Sequence, residues 1–386
     1  MSTIRVGLIL EAGNGYFRNV MRGVTRYAKP NKPWLIRNII PGVEPIQPMA
    51  DWRPDGLIVQ INDMQAAESL KKLKVPVINV GGAVGDIGFP RVRVDDTAVG
   101  RLAAEYFLER GFQFFAFIGL SDIAYSAARE AGFKEVLSSA GFNYMSLHDA
   151  AAPSPEPAQG TWTTKDANIE RWLRDLPNPC GVFVASDTQC FYIAELCHDA
   201  RIHVPEELAL LGVDNDELFC ELAYPRLSSI RTPNIEIGYQ AAALLDRMMS
   251  GKKAPSEPHL LPPTGVVTRQ SSDVVALDDP DVSAAVRYIR SHASEQISVN
   301  DVLKQVQISR RSLEQKFRQA LRRSPLAEIS RVRIDRVKEL LTLTNISMRE
   351  VAVQAGFTNA ERLSVVFKRK VGVTPTEFRE RFRTAN

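Results

Sequence analysis

Short runs of β-branched and aliphatic residues punctuate the first 275 positions: Ile4–Leu10, Gly56–Ile61, Val75–Val80, Phe114–Gly119, Gly181–Ala185 and Leu208–Val213. Between most of them the apolar positions fall at helical spacing, as in Val99–Leu108, Ile193–Cys197 and Ile237–Met248. Strands alternating with helices predict βαβ units and a parallel sheet covered on both faces. The nearly unbroken apolar character of the runs fits strands buried on both sides. Six such units exceed one small doubly wound domain. Two α/β lobes with a cleft between them are expected, with ligand sites beyond the carboxyl ends of the strands.

After an acidic, Pro-containing stretch at 273–281 the pattern changes to helix only. A helix is expected from about Pro280, with Ala284, Ala285, Tyr288 and Ile289 on one face. An internal repeat follows. Ile297-Ser298-x-x-x-Val302-x-x-Gln305-Val306 matches Ile346-Ser347-x-x-x-Val351-x-x-Gln354-Ala355. One residue out of register, Leu313, Phe317, Leu321 and Pro325 match Leu363, Phe367, Val371 and Pro375. Each unit reads as a short helix, a tight turn and a second helix, with Gly356 in the second turn and Gln307 in the first. A connecting helix over about Leu326–Leu343 carries Arg331, Arg333, Arg336 and Lys338. The expected domains are 1–275, a linker at 276–282, and 283–386.

Charge separates the same two parts. The chain of 386 residues has a net charge of +3, but residues 280–386 hold 21 Lys and Arg against 11 Asp and Glu, while the preceding 279 hold 27 against 34. A compact basic domain of +10 behind an acidic one of −7 points to an anionic partner for the second. In the helix from Arg310, Leu313, Phe317, Ala320 and Leu321 share the inner face. Arg310, Arg311, Glu314, Gln315 and Arg318 face outward, and Ser309 can cap the N-terminus. In the second unit Asn359, Ala360, Glu361, Arg362 and Val365 face outward, followed by Lys368, Arg369 and Lys370. Such a helix reads the major groove of double-stranded DNA: Arg suits guanine, Asn or Gln suits adenine, and apolar groups suit the thymine methyl. Glu314 and Glu361 suit either cytosine or the orientation of a neighbouring Arg.

In the first part, polar residues cluster where strands end. Glu11 follows the first run, and Asp95 and Asp96 follow Val92–Val94. Ser121 and Asp122 follow Phe114–Gly119, with Arg129 in the next helix. Ser186 and Asp187 follow Gly181–Ala185, and Asp214, Asn215 and Asp216 follow Leu208–Val213. Carboxylates and a guanidinium converging on a cleft suit a neutral polyhydroxyl ligand, with Tyr125 or Phe17 covering an apolar sugar face. The surplus of carboxylates argues against a phosphorylated one. Catalytic signals are poor: no Gly-x-x-x-x-Gly-Lys-Ser/Thr, His-Glu-x-x-His or Gly-x-Ser-x-Gly occurs, and the five histidines have no metal spacing. No catalytic residue, cofactor or metal is expected. Cys180, Cys190, Cys197 and Cys220 form no Cys-x-x-Cys pair and read as reduced core thiols. No apolar run approaches the ~18 residues of a membrane span, and no signal peptide is read, so a cytoplasmic protein without membrane contact is expected.

Val94-Asp95-Asp96-x-x-x-Gly100, Ala128-Arg129-Glu130-Ala131-Gly132-Phe133, Ala185-Ser186-Asp187 and Leu211-Gly212-Val213-Asp214-Asn215 resemble the sugar-sensing core of LacI/GalR-type regulators over about residues 4–272. Its ligand residues would map onto Asp95, Arg129, Ser186 or Asp187, and Asp214. The LacI-type headpiece is missing ahead of the first strand. Gly356-Phe357, Phe367-Lys368 and Gly372-Val-Thr-Pro375-Thr-Glu-Phe378-Arg379 resemble the AraC/XylS-type tandem helix-turn-helix domain over about 282–383. That resemblance implies base contacts from Arg311, Glu314 and Gln315, and from Ala360, Glu361, Arg362 and Val365. The pairing is similar to the XylR-type family of xylose-responsive regulators. It implies D-xylose as effector, operator or promoter DNA as partner, a homodimer, and contact with RNA polymerase if the protein activates. The same layout would serve a repressor or a sensor of another monosaccharide. A sugar-processing enzyme is the distant alternative.

Overall fold

The computed structural model describes residues 4–31, 34–41, 46–148, 167–255, 257–274, 279–321 and 323–382. All six expected strands form, three of them at the length of their apolar runs and three shorter by one to three residues. In the first lobe four parallel strands lie in the order Trp34–Ile39, Ile4–Ile9, Gly56–Val59, Val77–Asn79. In the second, six lie in the order Gly265–Val267, Ser228–Arg231, Leu208–Val213, Cys180–Val184, Phe114–Gly119, Met145–His148. Only Gly265–Val267 runs antiparallel, against Ser228–Arg231. A parallel pair of Val92–Val94 and His259–Leu261 adjoins the first sheet through the Asn79–Arg91 bridge. Trp34–Ile39 and Met145–His148 escape the apolar pattern because they are edge strands with largely exposed faces.

The chain passes between lobes after Val94, after Arg231 and after Leu261, so the cleft is built on three crossings. Helix Asp96–Leu108 enters the second lobe and lies against helix Ala124–Ser139. The two backbones touch. A Cβ at Gly100 would stand 1.9 Å from the Arg129 carbonyl oxygen, and one at Gly132 would stand 2.0 Å from that of Thr97. Any side chain at either position would force the helices apart and displace Arg129.

Of the expected linker, residues 276–278 lie outside the described residues. The next helix, Pro280–Ser291, starts inside the expected 276–282 boundary because Asp279 caps it, accepting from the Asp281 and Val282 amides. The tandem units are Val299–Val306 with Arg310–Leu321, and Met348–Gln354 with Ala360–Val371. The repeat extends to the caps. Ser298 with Asp301, and Ser347 with Glu350, each form a capping box. Helix Pro325–Leu343 places Ile329 in the first core and Ile334, Val337, Leu340 and Leu341 in the second, so it joins the two rigidly. In the first turn Gln307 takes the left-handed conformation, at φ 52°, that Gly356 takes at 68° in the second. The turn is therefore the same, held at a steric cost that glycine would avoid.

Among the described residues no helix is long and apolar enough to cross a membrane, and no group of three or more His, Cys, Asp or Glu could hold a metal ion. The four cysteines are buried and free.

Candidate functional site

The lobes face each other across a cavity of about 690 Å³, within the ~300–1,000 Å³ range of small-molecule sites. Backbone bonds from Ala124 and Tyr125 of the second lobe to the carbonyls of Ala83 and Gly82 close one side. On the other side Asp216 accepts from the Gly15 amide at 2.9 Å and pairs with Arg18 at 3.2 Å.

Arg129 stands at the centre, 4% exposed. Its Nε donates to Asp96 at 2.9 Å, its Nη1 to the Ala185 carbonyl, and its Nη2 lies 3.8 Å from Asp214. The guanidinium stacks on Tyr125 at 4.8 Å. Burial raises the Asp96 and Asp214 carboxyls, against the pull of Arg129 on both. Asp214 and Asn215 both have positive φ, 102° and 49°, a strained turn that sets the Asp214 carboxylate at the cavity wall. Glu11 and Ser186 also line the cavity, and Tyr16 and Phe17 pack edge to face at 4.9 Å beside them. The wall carries three carboxylates (Glu11, Asp96, Asp214) and two guanidiniums (Arg93, Arg129), with the Gln60 and Asn62 amides. This set can donate to and accept from a neutral polyhydroxyl molecule on several sides at once.

Glu11, Tyr125, Arg129, Ser186 and Asp214 are brought together as expected, while Asp95 and Asp187 are not. Asp95 caps helix Asp96–Leu108 by accepting from the Ala98 amide at 2.9 Å, and its neighbour Asp96 turns into the cavity. Asp187 lies behind the wall, 2% exposed, where it accepts from the Asp216 amide at 2.7 Å. It positions Asp216, the residue that reaches the first lobe. Asp122, at φ 58°, is exposed in a turn. Sequence reasoning missed Arg93, whose Nε and Nη1 are buried with no hydrogen-bond partner in the protein. An arginine between the buried Val92 and Val94 was the available signal.

Burial, aided by Asp214, pushes the Asp187 carboxyl up to about 8. The folded state therefore keeps a proton that the unfolded chain releases near the ordinary carboxylate value. This group's contribution to stability is present at low pH and is lost as pH rises towards 8. Asp187→Asn should flatten that decline. Thermal unfolding of both proteins from pH 5.5 to 8.5 checks it, and parallel Tm profiles would contradict the assignment.

The second site is the reader surface. Leu313, Phe317 and Leu321 are buried on one reader helix and Leu363, Val366 and Phe367 on the other. Arg311, Gln315 and Arg318 are exposed, as are Glu361, Arg362, Lys368 and Arg369, and Val365 is 63% exposed. Ser309 caps as expected, accepting from the Ser312 amide. Asn359 is a cap as well: its side-chain oxygen accepts from the Arg362 amide at 2.8 Å. Arg310 donates to Glu314 at 3.2 Å, which favours the orienting role for that carboxylate. Ala360 is half-buried at the start of its helix. On the connecting helix, Arg331 and Arg333 are engaged within the protein, Arg331 with Glu328 and Arg333 with the Glu295 and Ile297 carbonyls.

The family models agree with this partition. Residues 5–94 match a XylR N-terminal domain, 104–272 a periplasmic binding protein-like domain, and 302–381 a helix-turn-helix domain. The xylose operon regulatory protein of Escherichia coli K12 is 30% identical over 384 residues, 97% of each chain. That of Haemophilus influenzae is 30% identical over 383 residues, 97% of this chain and 98% of its own. The solved structure of the xylose-binding transcription activator XylR superposes at a TM-score of 0.62 with 29% identity, covering 100% of both chains.

Proposed function

The chain belongs to the family of xylose operon regulatory proteins, and from that premise we propose that D-xylose binds between its lobes and thereby redirects its tandem readers on operator DNA. It is a xylose-responsive, DNA-binding transcription regulator, not an enzyme, and its activating role is consistent with that of its relative of solved structure. One observation carries the assignment of the cleft. Three carboxylates and two guanidiniums line an interlobe cavity in a chain that ends in two helix-turn-helix units. Sugar hydroxyls would bridge Asp96 and Arg129 of the second lobe to the Glu11, Gln60 and Arg93 side. Closure would then be stabilised by contacts that exist only in the closed state.

The protein would act as a homodimer, so that two tandem readers meet paired half-sites, with RNA polymerase recruited beside them. Leu218, Leu222 and Tyr224, 55%, 66% and 77% exposed, offer the second lobe an apolar surface for a second copy.

A thermal-shift series against free aldoses, ketoses and sugar phosphates tests the effector. Xylose at 100 times its Kd should add ~2.7 kcal/mol to the sensor. Xylose-dependent footprinting then reads the sign of regulation, and light scattering reads the dimer. A shift with a different sugar replaces the effector. No shift with any sugar overturns the cleft assignment.

A further inference from the structure

The sugar cleft and the DNA-binding domain are joined by one continuous element. Helix Asp96–Leu108 has 13 residues and spans ~20 Å. Its first residue holds Arg129 in the cleft, and the residue after its last, Glu109, holds the DNA-binding domain. There Arg331 pairs with the Glu109 carboxylate at 3.0 Å, and Arg323 donates to the Glu109 carbonyl. Both arginines also grip Glu328, whose side chain is fully buried, at 2.6 and 2.8 Å. Burial works to raise the Glu328 carboxyl, but Arg331 and Arg323 outweigh it and hold it down to about 2. The fork is therefore ionised and rigid at any ordinary pH. The cleft end is equally stiff, since the backbone contacts at Gly100 and Gly132 lock the helix to the one bearing Arg129 and Tyr125.

We infer that helix Asp96–Leu108 is the strut that transmits closure of the sugar cleft to the DNA-binding domain, delivering it through Glu109 to Arg331 and Arg323. The inference deepens the proposed function and rests on it. A rigid helix moved at Asp96 must move at Glu109, and the arginine fork converts that displacement into a shift of helix Pro325–Leu343, which both reader units share. The same interface is poised for change. Arg290 of the DNA-binding domain lies there, 15% exposed, held only at Nη1 by Asp273 at 3.8 Å and the Val274 carbonyl at 3.5 Å, with its Nε and Nη2 unpartnered. Burial, then Arg110 and Arg331 nearby, push it down to about 9. An interface that holds an incompletely partnered guanidinium beside like charges is costly to keep, so a modest push can shift it.

The test measures xylose affinity by calorimetry and operator affinity by fluorescence anisotropy, with and without xylose, in the full chain. In the wild type, xylose should change operator affinity by ~5–150-fold. In Glu109→Gln, at a side chain 38% exposed, the xylose Kd and the unliganded operator Kd should each stay within about twofold while that ratio falls towards one. Arg331→Lys, which cannot hold Glu109, Glu328 and Asp335 together, should show the same loss. A full ratio in both variants overturns the strut. If the wild type does not bind xylose, the effector reading fails, and the strut is judged by the same ratio with whichever sugar does bind. A wild type whose operator affinity answers to no sugar overturns both.

Discussion

Arg129→Met abolishes the xylose-induced rise in Tm and costs the sensor about 3–5 kcal/mol, the usual penalty for removing one partner from a buried ionic group. The side chain is buried, donates to Asp96 and the Ala185 carbonyl, and pairs with Asp214 at 3.8 Å. Methionine fills similar space without a charge. It leaves the carboxyls of Asp96 and Asp214, both already raised by burial, with one cation fewer to offset them. Recognition and folding can be separated. Adding Asp96→Asn to Arg129→Met removes one stranded carboxylate and should recover part of the stability. It should not restore the sugar response, because the donor fork is still missing. Urea unfolding gives the stability, and scanning fluorimetry with and without xylose gives the response. A xylose shift that survives in Arg129→Met would place the sugar elsewhere.

Arg362→Ala weakens specific operator binding by roughly 1–3 kcal/mol and relaxes the base preference at one position of the half-site. Its backbone amide is tied to the Asn359 cap, so the first turn of the reader helix is fixed while the guanidinium projects, exposed, on the outer face. Replacing Lys368 at the other end of that helix should behave differently. It would weaken binding to all sequences alike and lower the salt slope by about one, as a phosphate contact does. Footprints and anisotropy titrations at two salt concentrations tell the two behaviours apart. An Arg362→Ala protein with an unchanged footprint and affinity would remove that residue from the reader.

Five of the seven cleft residues expected from the sequence line the cavity, and the two that do not show what a strand-end rule can and cannot resolve. The rule places Asp95 and Asp96 at the mouth together. Asp95, outside the helix, is its N-cap and turns back on the Ala98 amide, while Asp96 is the first helical residue and meets Arg129. At Ser186 and Asp187 the division is reversed, for the cap Ser186 lines the cavity and Asp187, the first helical residue, lies behind the wall. Arg93 was hidden because it lies within a strand rather than at its end. On the reader helices the inner faces were legible throughout, since Leu313, Phe317, Leu363 and Phe367 recur at helical spacing. Asn359, expected only on the outer face, is the N-cap of its helix, because the residue type that suits a cap also suits an exposed first turn.

The sequence by itself determined the two α/β lobes, the basic tandem reader and the type of ligand and partner each would take. Those follow from periodicity, capping and charge, which act over a few residues and survive without knowledge of the rest of the chain. Only the tertiary structure decided which carboxylate of a pair faces the cavity, that Asp187 holds Asp216 from behind its wall, and that Glu109 meets Arg323 across 214 residues of sequence. These depend on helix rotation and on long-range packing, and no local pattern records either one.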